Sequence, residues 1–239
     1  YDPRRRDYRF IDTCFSTHHL QFGSDGHTLW TSGGQQVVGW LDTLEFERTG
    51  DAAKSQHWAP FVLDTEGKGK LDRWTEPGQP TRPDRDQRLA VSFYAVMPDP
   101  ADGSVWGSVL GYPGGLVRFD PRTMLSEYYP PPLPGFGVRG ADIDTHGVVW
   151  VSLASGHLGR FDRRLCKAAL NGPGATGTHC PEGWRFYRLP GPSFVDLPDE
   201  SIESSYYTWV DQHNTLGLGN DVPIVTGNLS NGLHALVHG

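Results

Sequence analysis

An all-β fold built from repeated four-stranded antiparallel units is what this 239-residue sequence predicts. Three observations carry that expectation. The tetrad apolar-Trp-x-Ser occurs three times, as Leu29-Trp30-Thr31-Ser32, Val105-Trp106-Gly107-Ser108 and Val149-Trp150-Val151-Ser152. A glycine turn precedes each copy (Asp25-Gly26, Asp102-Gly103, His146-Gly147), and a segment ending in Asp follows 12, 14 and 12 residues after the Trp, at Asp42, Asp120 and Asp162. No stretch holds a 3.6-residue apolar period and prolines interrupt everywhere, which leaves no room for long helices. Landmarks that recur in fixed order, 42 residues apart between Asp120 and Asp162, separate a β-propeller of four-stranded blades from a sandwich, whose strands alternate without repeating.

Each element of the unit has a local reason. Inner strands are expected at His19 to Phe22, Tyr94 to Met97 and Gly140 to Ile143. The Asp-Gly type turns suit a tight hairpin because glycine accepts positive φ without steric cost. The second strand carries the Trp, large enough to fill the space between neighbouring sheets. The third ends at the Asp, and outer strands are expected at Tyr8 to Asp12, Met124 to Tyr129 and Trp184 to Leu189. A degraded fourth copy runs from Tyr207 to Asp211 and on to Thr215 to Leu218. Residues 43–90, charged and proline-rich, read as an insertion between blades of a single domain covering 1–239. Tyr1-Asp2-Pro3 reads as the close of a third strand, and Gly232 to Gly239 as a third strand without an outer one. Propellers close with roughly four to eight blades, so the expectation is an incomplete propeller whose partner includes the rest of a longer polypeptide.

Composition bounds the function. The net charge of −7 and pI near 5.8 give no phosphate-neutralising surface, so nucleic acid is not an expected partner. No run approaches the roughly 20 apolar residues of a membrane helix, so no span is expected in this chain.

The best-preserved units, Asp102-Gly103-Ser104-Val105-Trp106 with Gly115-Leu116-Val117-Arg118-Phe119-Asp120-Pro121, and Gly147 to Trp150 with His157 to Asp162, resemble the blades of the streptogramin B lyase-like propellers. The sugar-lactonase propellers are a second relative. The resemblance covers about residues 1–42, 91–162 and, weakly, 184–239. It implies a propeller fold, and for the lyases a Glu shortly after the blade Trp, a nearby His and magnesium. Here the positions after Trp hold Thr31-Ser32-Gly33, Gly107-Ser108-Val109 and Val151-Ser152-Leu153, with no carboxylate. His19 does match the family's habit of a His at the start of an inner strand. A divalent metal is the one cofactor the resemblance brings in; the residues themselves imply none.

Candidate chemistry concentrates at the starts of the inner strands. Aligning them places His19, Tyr94, Gly140 and Tyr207 in one register, and His18, Phe93, Arg139 and Tyr206 one position earlier. Inner strands converge on a propeller's axis, so His18, His19, Tyr94, Arg139, Tyr206 and Tyr207 form the expected ligand-binding set. Imidazole, phenol and guanidinium can bind anions or move protons. Strand alternation lets one of each adjacent pair face inward, and the preferred set is His19, Tyr94, Arg139 and Tyr207. Asp142 is the acidic residue able to cancel Arg139. The same residues also suit a purely structural channel cap. Three functions follow: an extracytoplasmic module binding a small polar or anionic molecule, a lyase- or lactonase-type enzyme, or a propeller that docks another protein.

Three further features bear on chemistry. Cys166 and Cys180 bracket a Gly/Pro/Thr loop and are expected to form a disulfide, placing the chain in the periplasm or outside the cell. Cys14 is then left over and reads as a small buried hydrophobe, with a soft-metal cluster alongside His18 and His19 as the alternative. Asp64 to Asp72 has acidic oxygens spaced as in a calcium loop, but Lys68 occupies one ligand position, which favours a solvated turn. The other histidines sit in turns (His27, His146, His213) or show no partner spacing (His57, His157, His179, His234, His238).

Overall fold

The computed structural model describes residues 1, 3–175 and 180–237, and among them the three Trp-bearing repeats are three sheets of the same plan. The first sheet runs in order through Leu20–Phe22, Thr28–Thr31, Val37–Asp42 and Gln56–Pro60. The second contains Val96–Pro98, Val105–Val109, Gly115–Asp120 and Leu125–Tyr129. The third is Val138–Ile143, Val149–Leu153, His157–Phe161 and Trp184–Arg188. A last sheet has three strands, Thr208–Asp211, Val222–Gly227 and Gly232–Ala235. All pairings inside these units are antiparallel, as in the blades of a β-propeller. Among the described residues, helices are confined to Thr43–Thr49, Ala52–Ser55 and two short 3₁₀ turns.

The repeated residues hold repeated positions. Trp30, Trp106 and Trp150 lie on second strands, opposite Gln21, Met97 and Asp142 on the inner strand and Trp40, Arg118 and Arg160 on the third. They are 6%, 1% and 2% exposed, so all three fill the layer between blades. Trp30 meets Phe119 of the second blade at 6.1 Å between ring centroids, and Trp106 meets Phe161 of the third at 5.8 Å. Trp150 packs with Val210 and Val225 of the last sheet. The Asp landmarks share a role too. Their carboxylates accept backbone N–H groups just beyond the third strand: Asp42 from Glu45, Asp120 from Arg122 and Asp162 from Arg164. Each turns the chain toward the outer strand by capping orphan donors.

The structure departs from the sequence reading at both ends of the repeat series. Tyr8 to Asp12 forms no strand, because among the described residues no third strand lies beside it; Tyr8 and Phe10 are exposed. Instead the first blade takes Gln56–Pro60, from within 43–90, as its outer strand. The remainder of that segment widens the second blade: Val62–Leu63 runs parallel to its outer strand, followed by Asp86–Arg88 and Trp74–Thr75. Trp209 is not a fourth blade Trp. It lies on the innermost strand of the last sheet, opposite Ile224, and is 46% exposed. Thr215 to Leu218 is a turn, because the Asp211 carboxylate accepts the N–H groups of Thr215 and Leu216 and folds the chain back.

Cys166 and Cys180 are joined. Cys14 is exposed rather than buried, because the buried apolar position beside it belongs to Phe15, which lies against Gly39 of the third strand. His179 and His238 lie outside the described residues.

Candidate functional site

The starts of the inner strands are fixed by the serine that ends each tetrad. Ser32, Ser108 and Ser152 are fully buried. Ser32 Oγ accepts the His19 N–H and donates to the Tyr94 carbonyl of the next blade, at 3.0 and 2.7 Å. Ser108 Oγ accepts the Ala95 N–H at 3.0 Å. Ser152 Oγ lies 2.6 Å from Ser205 Oγ and 2.9 Å from Thr208 Oγ1, at the entry to the last sheet. A buried hydroxyl must find such partners; those of Ser32 and Ser152 join neighbouring blades, and that of Ser108 holds the start of its own blade's inner strand. The sequence displayed these serines, but the spacing alone gave them no role.

Around that end the expected side chains come together. The Tyr94 and Tyr207 hydroxyls are 2.6 Å apart, and Tyr207 Oη lies 3.3 Å from His19 Nε2. His19 Nδ1 is 2.7 Å from the Tyr94 carbonyl oxygen. The Tyr94 and Tyr207 rings stack at 5.9 Å, and Tyr206 meets Tyr94 edge-on at 6.1 Å. Arg139 places its guanidinium over the Tyr206 ring at 5.6 Å, an attractive cation–π geometry. No carboxylate pairs with Arg139 among the described residues. Burial, and then the hydroxyls of Tyr206 and Tyr207, push the Tyr94 phenol above its ordinary range, so it remains a proton donor at neutral pH.

Two details differ from the expected register. His18 N–H donates to the Ser32 carbonyl as Tyr94 N–H donates to that of Ser108. The ladder therefore pairs Tyr94 with His18, and Ala95 with His19. In addition, both members of each adjacent pair join the cluster: His18 contacts Tyr94 at 5.0 Å and His19 at 4.2 Å, and Tyr206 and Tyr207 both reach Tyr94. Alternation does not apply because these residues precede the strands, which begin at Leu20 and Thr208. Tyr206 and Tyr207 are held by their own N–H bonds to Thr226 Oγ1 and by the Tyr206 carbonyl accepting the Gly140 N–H.

Below His19 and Tyr207 lies a cavity of about 420 Å³. All four sheets line it, through Leu20 and Gln21, Ala95 and Val96, Ala141 and Asp142, and Thr208 to Gln212. Asp142 does not cancel Arg139. Its two oxygens accept the N–H groups of Ile143 and Val210, at 2.9 and 2.8 Å. Burial outweighs these bonds and pushes its carboxyl up to about 6. Asp211, by contrast, is buried with both oxygens engaged by turn N–H groups.

The other candidates lie elsewhere. Cys14 borders a separate cavity with Trp40, His57 and Trp58, away from His18 and His19. The Asp64 carboxylate accepts N–H groups from Gly67, Lys68 and Gly69, and Lys68 Nζ pairs with Glu66 at 2.8 Å, so the loop is closed on itself. No group of three or more His, Cys, Asp or Glu side chains among the described residues is arranged to hold a metal ion.

No family model matches the sequence, and no curated protein does. Solved structures do. The fold is similar to that of a catalytically inactive virginiamycin B lyase from Staphylococcus aureus, determined with quinupristin, at 10% identity and a TM-score of 0.56 over 96% of this chain and 55% of that one. It is also similar to a putative gluconolactonase at 13% identity, a TM-score of 0.48, and 92% and 59% coverage. The chain thus spans a little over half the length of these structures. At such identities the likeness concerns fold alone, and the first of the two, with the repeated blades, identifies the chain as β-propeller in architecture.

Proposed function

We propose that this chain is an extracytoplasmic β-propeller module that binds a small polar or anionic molecule at the mouth of its central channel. The observation that carries the reading is the cluster in which Arg139, without a carboxylate partner among the described residues, rests on Tyr206, Tyr206 meets Tyr94, and Tyr94 is joined through Tyr207 to His19, the last two lining a cavity. A pocket with a few convergent polar groups is the usual form of a small-molecule site. Arg139 supplies a forked donor that suits a carboxylate. The phenols and His19 supply further donors, and the stacked rings offer an apolar wall. The Cys166–Cys180 disulfide supports an oxidising compartment, since cytosolic thiols are kept reduced.

The test is calorimetric titration of the whole chain with a series of small carboxylates and their amide analogues. The carboxylates should bind in preference, and Arg139→Ala should weaken them by about 10- to 100-fold, the equivalent of one charge-assisted hydrogen-bond pair. Equal affinities for Arg139→Ala and wild type would overturn the reading.

A further inference from the structure

Arg139, on the Tyr206 ring, and Asp142, in the cavity wall, are of opposite charge, and among the described residues neither forms an ion pair. Arg139 and Asp142 sit on the same inner strand, three residues apart, which is about 10 Å of extended backbone. They do not pair with each other: the guanidinium lies on Tyr206, while both Asp142 oxygens accept backbone N–H groups. The cavity wall holds no Lys or Arg; besides the Asp142 and Asp211 carboxylates, its polar side chains include Gln21, Thr208, Gln212 and the imidazoles of His19 and His213. Asp142 lines the cavity and is partly accessible within it, whereas Asp211 on the same wall is fully buried. Each oxygen of a carboxylate has room for a second bond, so Asp142 can still receive a donor from the cavity.

An isolated carboxylate in a half-buried cavity is costly unless a cation meets it. Arg139 presents the mirror-image need at the mouth. We infer that the ligand is zwitterionic, with an anionic group at Arg139 and an ammonium group reaching down the channel to Asp142. This rests on the reading of Arg139 given above and adds a second recognition point, a required charge and a required length. The ligand class is an amino acid or short peptide-like molecule whose charges stand several methylenes apart. Ala95, Val96 and Ala141 line the same cavity as Asp142 and suit an apolar spacer.

Three probes of equal chain length separate the two halves: 6-aminohexanoate, hexanoate and hexylamine, each titrated into the full chain. The expected result is that 6-aminohexanoate binds at least about tenfold more tightly than either single-charge probe, the equivalent of one added ion pair. Asp142→Asn should then reduce 6-aminohexanoate to the level of hexanoate. An amide at 142 faces an N–H donor and can disturb folding, so the wild-type comparison of the three probes stands as a test by itself. Equal binding of hexanoate and 6-aminohexanoate overturns the inference and leaves the Arg139 reading intact. Binding of hexylamine alone overturns the Arg139 reading and with it the zwitterion. Binding of none of the three overturns both.

Discussion

Gly140 has no room for a methyl group. A Cβ built there would stand 2.5 Å from Tyr207 Cδ1 and 2.8 Å from the Tyr206 carbonyl oxygen, where backbone cannot yield. Its hydrogen atom is what lets the Tyr206–Tyr207 segment close over the inner strand and bond to the Gly140 N–H. Gly140→Ala should therefore destabilise the protein by about 1–3 kcal/mol, as overpacking does. It should also displace Tyr207 from Tyr94 and His19. Chemical denaturation would read the first effect, and the loss of carboxylate binding in a still-folded variant the second. Retained binding with unchanged stability would show that the mouth tolerates a looser Tyr pair.

At the scale of the element, the blade is held by its Trp and its Ser in different ways. Trp106 is 1% exposed and packs against Tyr129 and Phe161, so Trp106→Ala should cost about 3–5 kcal/mol through lost contacts and a cavity. Ser152→Ala removes no comparable volume but leaves two buried hydroxyls, of Ser205 and Thr208, short of a partner. About 1–3 kcal/mol should be lost. Double substitution tests whether the two act through different surfaces: the losses should add to within about 0.5 kcal/mol if they do.

For the whole molecule, two acids tie stability to pH in opposite directions. Burial raises the Asp142 carboxyl from 3.8 to about 6, so its stabilising share is complete below about pH 4 and is lost as pH rises through 6. Glu203 is buried too, which alone would raise it. The Ser230 hydroxyl and the N–H groups of Leu229, Ser230 and Ser204 outweigh that and bring it down from 4.5 to about 2. Its share is present above about pH 4.5 and is lost as pH falls toward 2. Urea titrations at a series of pH values should therefore show Glu203→Gln losing its deficit relative to wild type as pH drops through 4. Asp142→Asn should gain on wild type between pH 4 and 7. Parallel curves at every pH would mean that neither carboxyl is perturbed. Glu203 ties the Ser204 segment to Leu229 and Ser230 of the last sheet, so the acid side of this profile reports on the end of the chain.

What the sequence determined by itself is the repeated unit, because its causes are local. Trp at a fixed distance from an Asp, a glycine turn before it and an apolar strand before that each constrain a few neighbouring residues, and they recur in order. The disulfide was legible for a similar reason, a loop between two cysteines with a third left over. The rest of the architecture depends on which edges and faces meet. Tyr8 to Asp12 has the pattern of a strand but no neighbour to pair with, while Gln56–Pro60, hidden in a polar segment, has one. The six expected residues at the channel mouth could be gathered from the inner-strand alignment. Their register could not, since His18, His19, Tyr206 and Tyr207 lie just outside the strands, where alternation no longer holds. That Arg139 and Asp142 stand apart, each without an ion-pair partner among the described residues, follows from the backbone bonds that hold Asp142 to Ile143 and Val210. Val210 lies 68 residues further along the chain, and no local pattern records a hydrogen bond made across that distance.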